Sequence, residues 1–276
     1  MRLKKKYLEM NCNKIKHFVV IRFYCLDLVE RSVLFDENFL NEQIDVFEKY
    51  TLRSLENQTN KNFLVLILIH NDIDKNNSAI QRLKNIKSTF ELHVIRMNEY
   101  RDFLGLHCKD FDFMITTRID HDDLIYSGAA DEVQNMCDDR IPFMFNGYDR
   151  LITMVGNDYS GCRKFYPDYK GIGAINIFQS CILNRNFSKE LKYNIFSLSH
   201  VKGKLEIMRW YSDNGFLFDD SYYNVNHLED SSVYVKHNFN ISSKTHVLFE
   251  TKWHRSDIEV NMPKKWFVER FGDFID

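Results

Sequence analysis

Three carboxylates fall within four residues of the chain, at Asp120, Asp122 and Asp123. Carboxylates this close repel one another, so they stay ionised at low cost only beside a cation or a basic group. Oxygen ligands of this kind suit Mg²⁺ or Mn²⁺, which usually complete their coordination shell with water and substrate phosphates. Arg118 precedes the cluster and could pair with a carboxylate or reach a phosphate. The sequence therefore predicts a metal site that handles phosphates or, as the alternative, a solvated acidic turn.

The acidic cluster follows an apolar segment that we interpret as one strand of a parallel sheet. Apolar runs without alternation are typical of strands covered on both faces, and we predict strands at residues 17–25, 63–69, 91–96 and 111–117. We predict helices between them, near residues 38–56, 78–87 and 100–106. The first of these helices shows an apolar stripe at helical spacing, formed by Leu40, Ile44, Phe47, Thr51 and Leu55.

This alternation of strands and helices predicts an α/β fold with a mostly parallel sheet flanked by helices. Ligands of such sheets bind beyond the carboxyl ends of the strands. Asp72 follows the second predicted strand and the acidic cluster follows the fourth, so both should lie at one edge of the sheet. Beyond Asp123 the pattern loosens, and we predict a helix at 129–137 and strands at 142–145 and 151–155.

The composition argues against several classes of protein. Lys and Arg total 37 and Asp and Glu total 39, for a formal net charge of −2, which gives no global attraction to nucleic acid. The six cysteines form no C-x-x-C pair, which indicates reduced thiols in a reducing compartment. No apolar run reaches the roughly 18 residues of a membrane span, and the basic first residues lack the apolar stretch of a signal peptide. The predicted location is the cytoplasm.

Two segments resemble glycosyltransferases of the GT-A fold. The first contains an S-L-x-x-Q-T pattern followed by a strand that ends in an acidic residue, with Ser54, Leu55, Gln58, Thr59, Phe63 and Asp72 in those places. The second is Thr-Thr-Arg-Ile-Asp-His-Asp-Asp at 116–123, which resembles the D-x-D-type motif of that fold. With Arg22 and Phe23 at the end of the first strand, the chain is most similar to the rhamnosyltransferase family of bacteria. The resemblance covers about residues 17–135.

The resemblance implies roles for individual residues around a nucleotide-sugar donor. Asp122 would be the principal ligand of Mn²⁺ or Mg²⁺, with Asp123 in support, and Asp120 would contact the metal or the ribose of the donor. Asp72 would face the nucleobase or ribose, and Arg22 would line the donor pocket. The fold would be GT-A-like, that is Rossmann-like. The chain would then be a single domain over 1–276, with a nucleotide-sugar-binding half (about 17–135) and an acceptor-side extension (about 136–276) ending in a helical tail.

The general base of the reaction is predicted at Asp213. An inverting transferase needs a carboxylate to deprotonate the acceptor hydroxyl, and in GT-A enzymes of this type that carboxylate lies roughly ninety residues after the D-x-D motif. The alternative is a helix-cap or turn aspartate, and Asp219 and Asp220 are the next candidates. Lys236 and His237 are predicted to contact the donor diphosphate.

The chain ends in a segment, 263–275, that allows two interpretations. Pro263 suits the first position of a helix, and an aromatic stripe lies beside basic residues. The stripe favours a helix that closes over the core or, as the alternative, a helix in peripheral contact with the inner face of the membrane.

The predicted function is metal-dependent transfer of a hexose or deoxyhexose from a nucleotide-sugar to a glycan or lipid-linked acceptor, with inversion, in bacterial surface polysaccharide synthesis. One alternative is a nucleotidyl- or phosphotransferase that uses the same acidic cluster, although neither glycine-rich phosphate loop, G-x-x-x-x-G-K or G-x-G-x-x-G, occurs in the sequence. Another is a non-catalytic, GT-A-like protein that binds carbohydrate. No nucleic-acid partner is predicted.

Overall fold

A computed structural model describes residues 15–24, 35–148, 151–155, 163–165, 179–187, 194–195, 203–226, 232–236, 258–259 and 264–271. In its first half, strands alternate with helices in the order predicted. The strands are β1 (Ile15–Arg22), β2 (Leu64–Ile69), β3 (Glu91–Arg96) and β4 (Phe113–Asp120). The helices are α1 (Glu37–Phe47), α2 (Arg53–Glu56), α3 (Ser78–Lys84) and α4 (Tyr100–His107), with a π-helical segment at Glu48–Leu52 that joins α1 to α2.

The second half adds eight strands and three helices to the described structure. The strands are β5 (Asp123–Ile125), β6 (Phe143–Tyr148), β7 (Leu151–Val155), β8 (Arg163–Phe165), β9 (Gln179–Asn184), β10 (Tyr223–Asn226), β11 (Ser232–Lys236) and β12 (Ile258–Glu259). The helices are α5 (Ala129–Asn135), α6 (Gly203–Asp213) and α7 (Lys264–Phe271).

The main sheet has seven strands in the order β10-β6-β9-β4-β1-β2-β3. Among these described strands, β9 runs antiparallel to both of its neighbours, β4 and β6, and the remaining neighbours pair in parallel. The prediction of an α/β fold with a mostly parallel sheet and flanking helices is thus confirmed.

Two apolar cores cover the two faces of the main sheet. Successive residues of a strand point to opposite faces, so Val19 and Ile21 join one core while Phe18 and Val20 join the other. Helices α1, α3, α5 and α7 contribute to the first core, and α4 and α6 contribute to the second. All six residues of β2 are buried, which explains why its sequence is apolar without alternation.

Helix α1 begins at a polar cap and continues as a long buried stripe. The side chain of Asp36 accepts hydrogen bonds from the amides of Asn38 and Phe39, which satisfies free donors of the first turn. Leu40, Ile44 and Phe47 are fully buried, as the apolar spacing predicts. The helix then widens into the π-helical segment, a feature that often marks functional sites, and ends after α2 at Asn57.

A second sheet has five strands in the order β12-β8-β7-β11-β5. Strand β5 begins at Asp123, the last residue of the acidic cluster, three residues after the end of β4. The predicted strands at 142–145 and 151–155 are both present, as β6 and β7, but they belong to different sheets. Their partners come from later in the chain, namely β9 and β10 for β6 and β8 and β11 for β7, and such distant pairings are not visible in local sequence.

The C-terminal helix α7 packs against the first core. Phe271 is fully buried there, and the carbonyl of Arg270 accepts a hydrogen bond of 2.8 Å from the amide of Ser127. The Arg270 guanidinium lies 5.1 Å from the centre of the Tyr126 ring. The helix therefore closes over the core, and its predicted contact with a membrane stays a prediction. None of the helices described here is both long and apolar enough to cross a bilayer.

Candidate functional site

The predicted site residues of the first half lie at the carboxyl ends of the central strands. In the register of the sheet, Arg22 is paired with Leu68 of β2 on one side and with Asp120 of β4 on the other. Asp72 follows three residues after the end of β2, and the acidic motif (residues 120–123) begins at the last residue of β4. The structure thus brings Arg22, Asp72 and the acidic motif to the same edge of the sheet.

Arg22 and Asp120 form a two-point ion pair at this edge. The Nε and Nη2 atoms of Arg22 donate to the two carboxylate oxygens of Asp120 at 2.7 and 2.6 Å. Burial opposes ionisation of this carboxyl group, but the positive charges of Arg22 and Arg118 outweigh burial and lower its pKa. Asp120 is therefore held as an anion in a fixed orientation, because a guanidinium that donates twice fixes both position and plane.

Arg118 supplies a second guanidinium to the same face of the sheet. It is 3% exposed, and its Nη2 donates to Oε1 of Gln179, its cross-strand partner on β9, at 2.6 Å. Burial and the charge of Arg22 lower the pKa of Arg118 to about 10, although Asp120 acts in the opposite direction. Two guanidinium groups thus act on the single carboxylate of Asp120. Guanidinium groups at this edge offset part of the negative charge of the acidic motif and suit an anionic ligand such as a phosphate.

Asp122 and Asp123 are more deeply buried than an exposed acidic turn would be, at 8% and 0% exposure. The alternative of a solvated turn is therefore wrong. Burial raises the pKa of the Tyr24 phenol, and the negative charge of the Asp122 carboxylate raises it further. Tyr24 therefore lies near Asp122.

The side chains of the described residues do not by themselves form the predicted metal site of three carboxylates. Within the described ranges, no group of three or more His, Cys, Asp or Glu is placed to hold a metal ion, and Asp120 is already paired with Arg22. Mg²⁺ in phosphate-handling sites commonly uses one or two carboxylates and takes its other ligands from water and substrate phosphates. Asp122, beside the ion-paired Asp120, fits that smaller donor set.

Thr51 fastens the main chain of the acidic motif at both ends. Its hydroxyl lies 3.2 Å from the carbonyl oxygen of Asp120 and 2.8 Å from that of Asp123. Three residues later, Ser54 accepts a hydrogen bond from the amide of Ile125 at 3.4 Å. The helical segment after β1 is therefore attached to the turn that carries the carboxylates.

The Q-T end of the S-L-x-x-Q-T pattern binds the chain just beyond the motif. Gln58 Nε2 donates to the carbonyl of Tyr126 at 2.8 Å, and its Oε1 accepts from the amide of Ala130 in the first turn of α5 at 3.1 Å. The amide and hydroxyl of Thr59 both donate to the carbonyl of Ser127. The pattern that carried the resemblance is thus a structural attachment for the segment 120–130.

This role of the buried polar residues in and just after the first helical segment was not predicted from the sequence. These residues are 0–3% exposed, and they are Gln43, Thr51, Ser54 and Gln58. Gln43, Thr51 and Ser54 lie within the helical segment, and Gln58 follows directly after its end at Asn57. Polar residues within an apolar stripe were the available signal, since a buried polar group is retained where it has a hydrogen-bond partner.

Asp72 lies on the same edge of the sheet but one strand away from the acidic motif. Its side chain is 46% exposed, and its carboxylate is 3.9 Å from Nδ1 of His70, which also accepts a hydrogen bond from the Asp72 amide. Strand β1 separates β2 from β4, so the two strand ends are about 10 Å apart. Asp72 is therefore open to a ligand that spans this distance.

The structure places Asp213 at the opposite edge. It is the exposed last residue of α6, two residues after Tyr211, whose hydroxyl bonds the amide and the carbonyl of Phe143. Phe143 begins β6, so this end of α6 lies where the parallel strands start. Asp219 and Asp220 follow just before the start of β10. The structure therefore does not bring these candidates for the base together with the acidic motif.

The backbone of β11 passes beside the acidic motif. Tyr234 pairs with Asp123 in antiparallel register, so the strand continues from Tyr234 to Lys236 in the direction of Asp122. The backbone of Lys236 therefore lies near the motif, and its predicted donor contact stays a prediction. His237 lies outside the described residues, and its predicted role is not tested.

The part of the chain that carries Asp72 and the acidic motif matches a known family. Residues 27–142 match the family described as putative rhamnosyl transferase. That range contains both the S-L-x-x-Q-T pattern and the acidic motif, so the predicted resemblance is confirmed. It covers fewer than half of the 276 residues, and it shows similarity to transferases without fixing the sugar or the acceptor. A search among curated proteins found no match.

Similar solved structures include both glycosyltransferases and nucleotidyltransferases. The glycosyltransferase GlyE of Streptococcus pneumoniae is 13% identical, with a TM-score of 0.33, over 86% of this chain and 50% of that one. This chain therefore spans about half the length of that enzyme. The 4-diphosphocytidyl-2C-methyl-D-erythritol synthase of Anaerococcus prevotii is 10% identical over 85% and 96% of the two chains, with a TM-score of 0.37. Likenesses this distant assign no function to the chain.

Proposed function

We propose that the protein is a glycosyltransferase that moves a sugar from a nucleotide-sugar donor to a glycan or lipid-linked acceptor. The observation that carries this proposal is the convergence of Arg22, Arg118, Asp120 and Asp122 at the carboxyl ends of β1 and β4. The last three of these residues lie within the range 27–142 that matches the transferase family. Ligands of open α/β sheets bind at that edge. The setting that we propose for this reaction is the synthesis of a bacterial surface polysaccharide.

The donor would lie across the ends of β2, β1 and β4. Asp72, half exposed at the end of β2, would hydrogen-bond the nucleobase or ribose. The guanidinium groups of Arg22 and Arg118 would oppose the negative charge of the diphosphate, and the backbone position of Lys236 suits a further contact there. Asp120, fixed by Arg22, would accept a hydrogen bond from a ribose hydroxyl or help to hold a metal ion.

A divalent metal ion, Mn²⁺ or Mg²⁺, would be held chiefly by Asp122, together with the donor phosphates. When bound, such an ion acts as a Lewis acid that neutralises the charge of a leaving diphosphate. The protein's own part is to keep Asp120 ionised and to orient Asp120 and Asp122. The ion pair with Arg22 and the two Thr51 hydrogen bonds to the motif backbone supply that orientation. The proposal includes no general base, since Asp213 lies at the other edge.

The test is thermal unfolding of the purified protein with Mn²⁺ and, in turn, UDP, GDP, dTDP and CDP. A ligand at about 100 times its Kd stabilises the fold by roughly 2.7 kcal/mol. At about 2–4 °C per kcal/mol for a chain of this size, the Tm should rise by about 5–11 °C. One nucleotide should give a shift that needs Mn²⁺ and that is lost in Asp122→Asn.

A matched control separates the site from general charge. Asp110→Asn makes the same substitution at an exposed turn and should retain the full shift. If folded wild-type protein shows no shift with any of the four nucleotides, the proposed donor site is wrong. If Asp122→Asn retains the wild-type shift, the role of Asp122 is wrong.

A further inference from the structure

A buried cluster of three side chains lies directly against the acidic motif. Oε1 of Gln43, on α1, is 2.9 Å from the hydroxyl of Tyr24 and 3.0 Å from Nε2 of His121. An amide oxygen has two lone pairs and can only accept, so both partners donate to it. His121 lies between Asp120 and Asp122 in the sequence. Gln43, on helix α1, therefore contacts the centre of the acidic motif.

Gln43 is a polar side chain at a fully buried position, with 0% exposure. A buried polar group is tolerated where it is hydrogen-bonded, whereas a leucine of similar size needs no such partner. The two bonds to Oε1 are what an amide provides here and an apolar side chain cannot.

The same cluster holds a strained backbone. Tyr24 has a φ angle of 50°, and it is not a glycine, so its backbone lies in the left-handed region that bulky residues rarely adopt. Its ring packs on Phe39 at 5.2 Å and on His121 at 5.1 Å between centres. Strain of this kind persists only where the surroundings determine the conformation, and it is concentrated at functional sites.

Three anchors together fix the motif, and each acts on a different part of it. Thr51 holds the backbone carbonyls of Asp120 and Asp123, and Arg22 holds the carboxylate of Asp120. The turn between these points consists of His121 and Asp122. The hydrogen bond to Gln43 fixes the ring of His121, which is 8% exposed. Because a peptide bond joins His121 to Asp122, the fixed ring also restricts the direction of the Asp122 side chain.

We propose that Gln43 is a positioning residue that acts through His121 to aim the Asp122 carboxylate into the donor site. The proposal rests on the proposed function, because it assumes that Asp122 contacts the donor or its metal ion. Loss of Gln43 should weaken binding at Asp122 although Gln43 itself is too deeply buried to touch a ligand.

The experiment is a double-mutant cycle of Gln43→Leu and His121→Leu, read by calorimetric titration with Mn²⁺ and the nucleotide among UDP, GDP, dTDP and CDP that stabilises the wild type most. Gln43→Leu should raise the Kd at least tenfold. In the His121→Leu background the same substitution should change the Kd less than threefold, since the residue through which it acts is gone. A full tenfold effect in that background would overturn the proposal, because groups that act independently give additive effects.

A control on the same helix and a ligand-free measurement complete the test. Ile44→Val alters a fully buried neighbour of Gln43 and should leave the Kd unchanged even though it lowers stability. In the free protein, the ring N–H of His121 should give a slowly exchanging NMR signal that disappears in Gln43→Leu. If that signal is unchanged, the role of Gln43 is wrong whether or not nucleotides bind. If the signal behaves as expected but the wild type binds no nucleotide, the failure lies in the proposed function and Gln43 has no donor to position.

Discussion

Replacement of Gln58 by leucine tests whether the S-L-x-x-Q-T pattern stabilises the segment after the acidic motif. Gln58 is 3% exposed. Its side chain donates to the carbonyls of Ser54 and Tyr126 and accepts from the amide of Ala130. Gly128, the N-cap residue of α5, makes no side-chain cap to that helix. Gln58 therefore satisfies a free donor of the first turn of α5 from another part of the chain.

The expected loss follows from the two groups that leucine would leave buried. The Tyr126 carbonyl and the Ala130 amide both belong to buried residues. A buried polar group that loses its partner costs about 1–3 kcal/mol. With about 1.5 kcal/mol for each, the free energy of unfolding should fall by about 3 kcal/mol, and the Tm by about 6–12 °C at 2–4 °C per kcal/mol.

Thermal and urea unfolding of Gln58→Leu and Gln81→Leu would measure this loss. Gln81 is exposed, and the same substitution there should change the stability by less than about 0.5 kcal/mol. Gln81→Leu therefore controls for the effect of replacing glutamine by leucine where no buried contact is lost. If the two variants have equal stability, the Gln58 contacts do not carry the energy assigned to them, and the segment 120–130 must be held in another way.

Two further predictions concern residues outside the acidic motif. His17 is 2% exposed, and burial lowers its pKa from 6.5 to about 3. At a pH between these two pKa values, His17 binds a proton in the unfolded chain but not in the folded protein. The free energy of unfolding therefore falls as the pH drops below 6.5. At pH 5 the loss should be about 2 kcal/mol, and urea unfolding at pH 7 and pH 5 should show it in the wild type and not in His17→Gln. Asp213→Asn should alter neither the stability nor the nucleotide-induced shift, because the side chain is exposed at the far edge of the sheet. A hundredfold loss of sugar transfer with intact donor binding would instead restore Asp213 as the general base.

The first half of the fold was predictable because its signals are local. A strand covered on both faces requires an unbroken apolar run, and β2 shows one at Leu64–Ile69. A helix that packs on one face requires apolar residues at helical spacing, which α1 shows. Once the alternation of strands and helices was clear, parallel pairing placed Asp72 and the acidic motif at one edge without further information.

The second half was less predictable because its pairings connect distant parts of the chain. Strand β9 inserts between β4 and β6 and runs against both, and no local pattern specifies such neighbours. The predicted base illustrates the consequence. Asp213 has suitable spacing along the chain, but α6 ends near the start of β6, which places this carboxylate at the edge opposite to Asp120.

The sequence by itself determined which residues could do chemistry at the site, because the types and spacing of Arg118, Asp120, Asp122 and Asp123 are fixed by covalent order. Only the tertiary structure decided what those residues do to one another. Arg22 on β1 neutralises Asp120 on the adjacent strand β4. Buried polar residues in and just after the first helical segment, at Gln43, Thr51, Ser54 and Gln58, hold the turn in place. Hydrogen bonds between segments some seventy or more residues apart depend on the packing of helix against sheet, and that packing exists only in the folded chain.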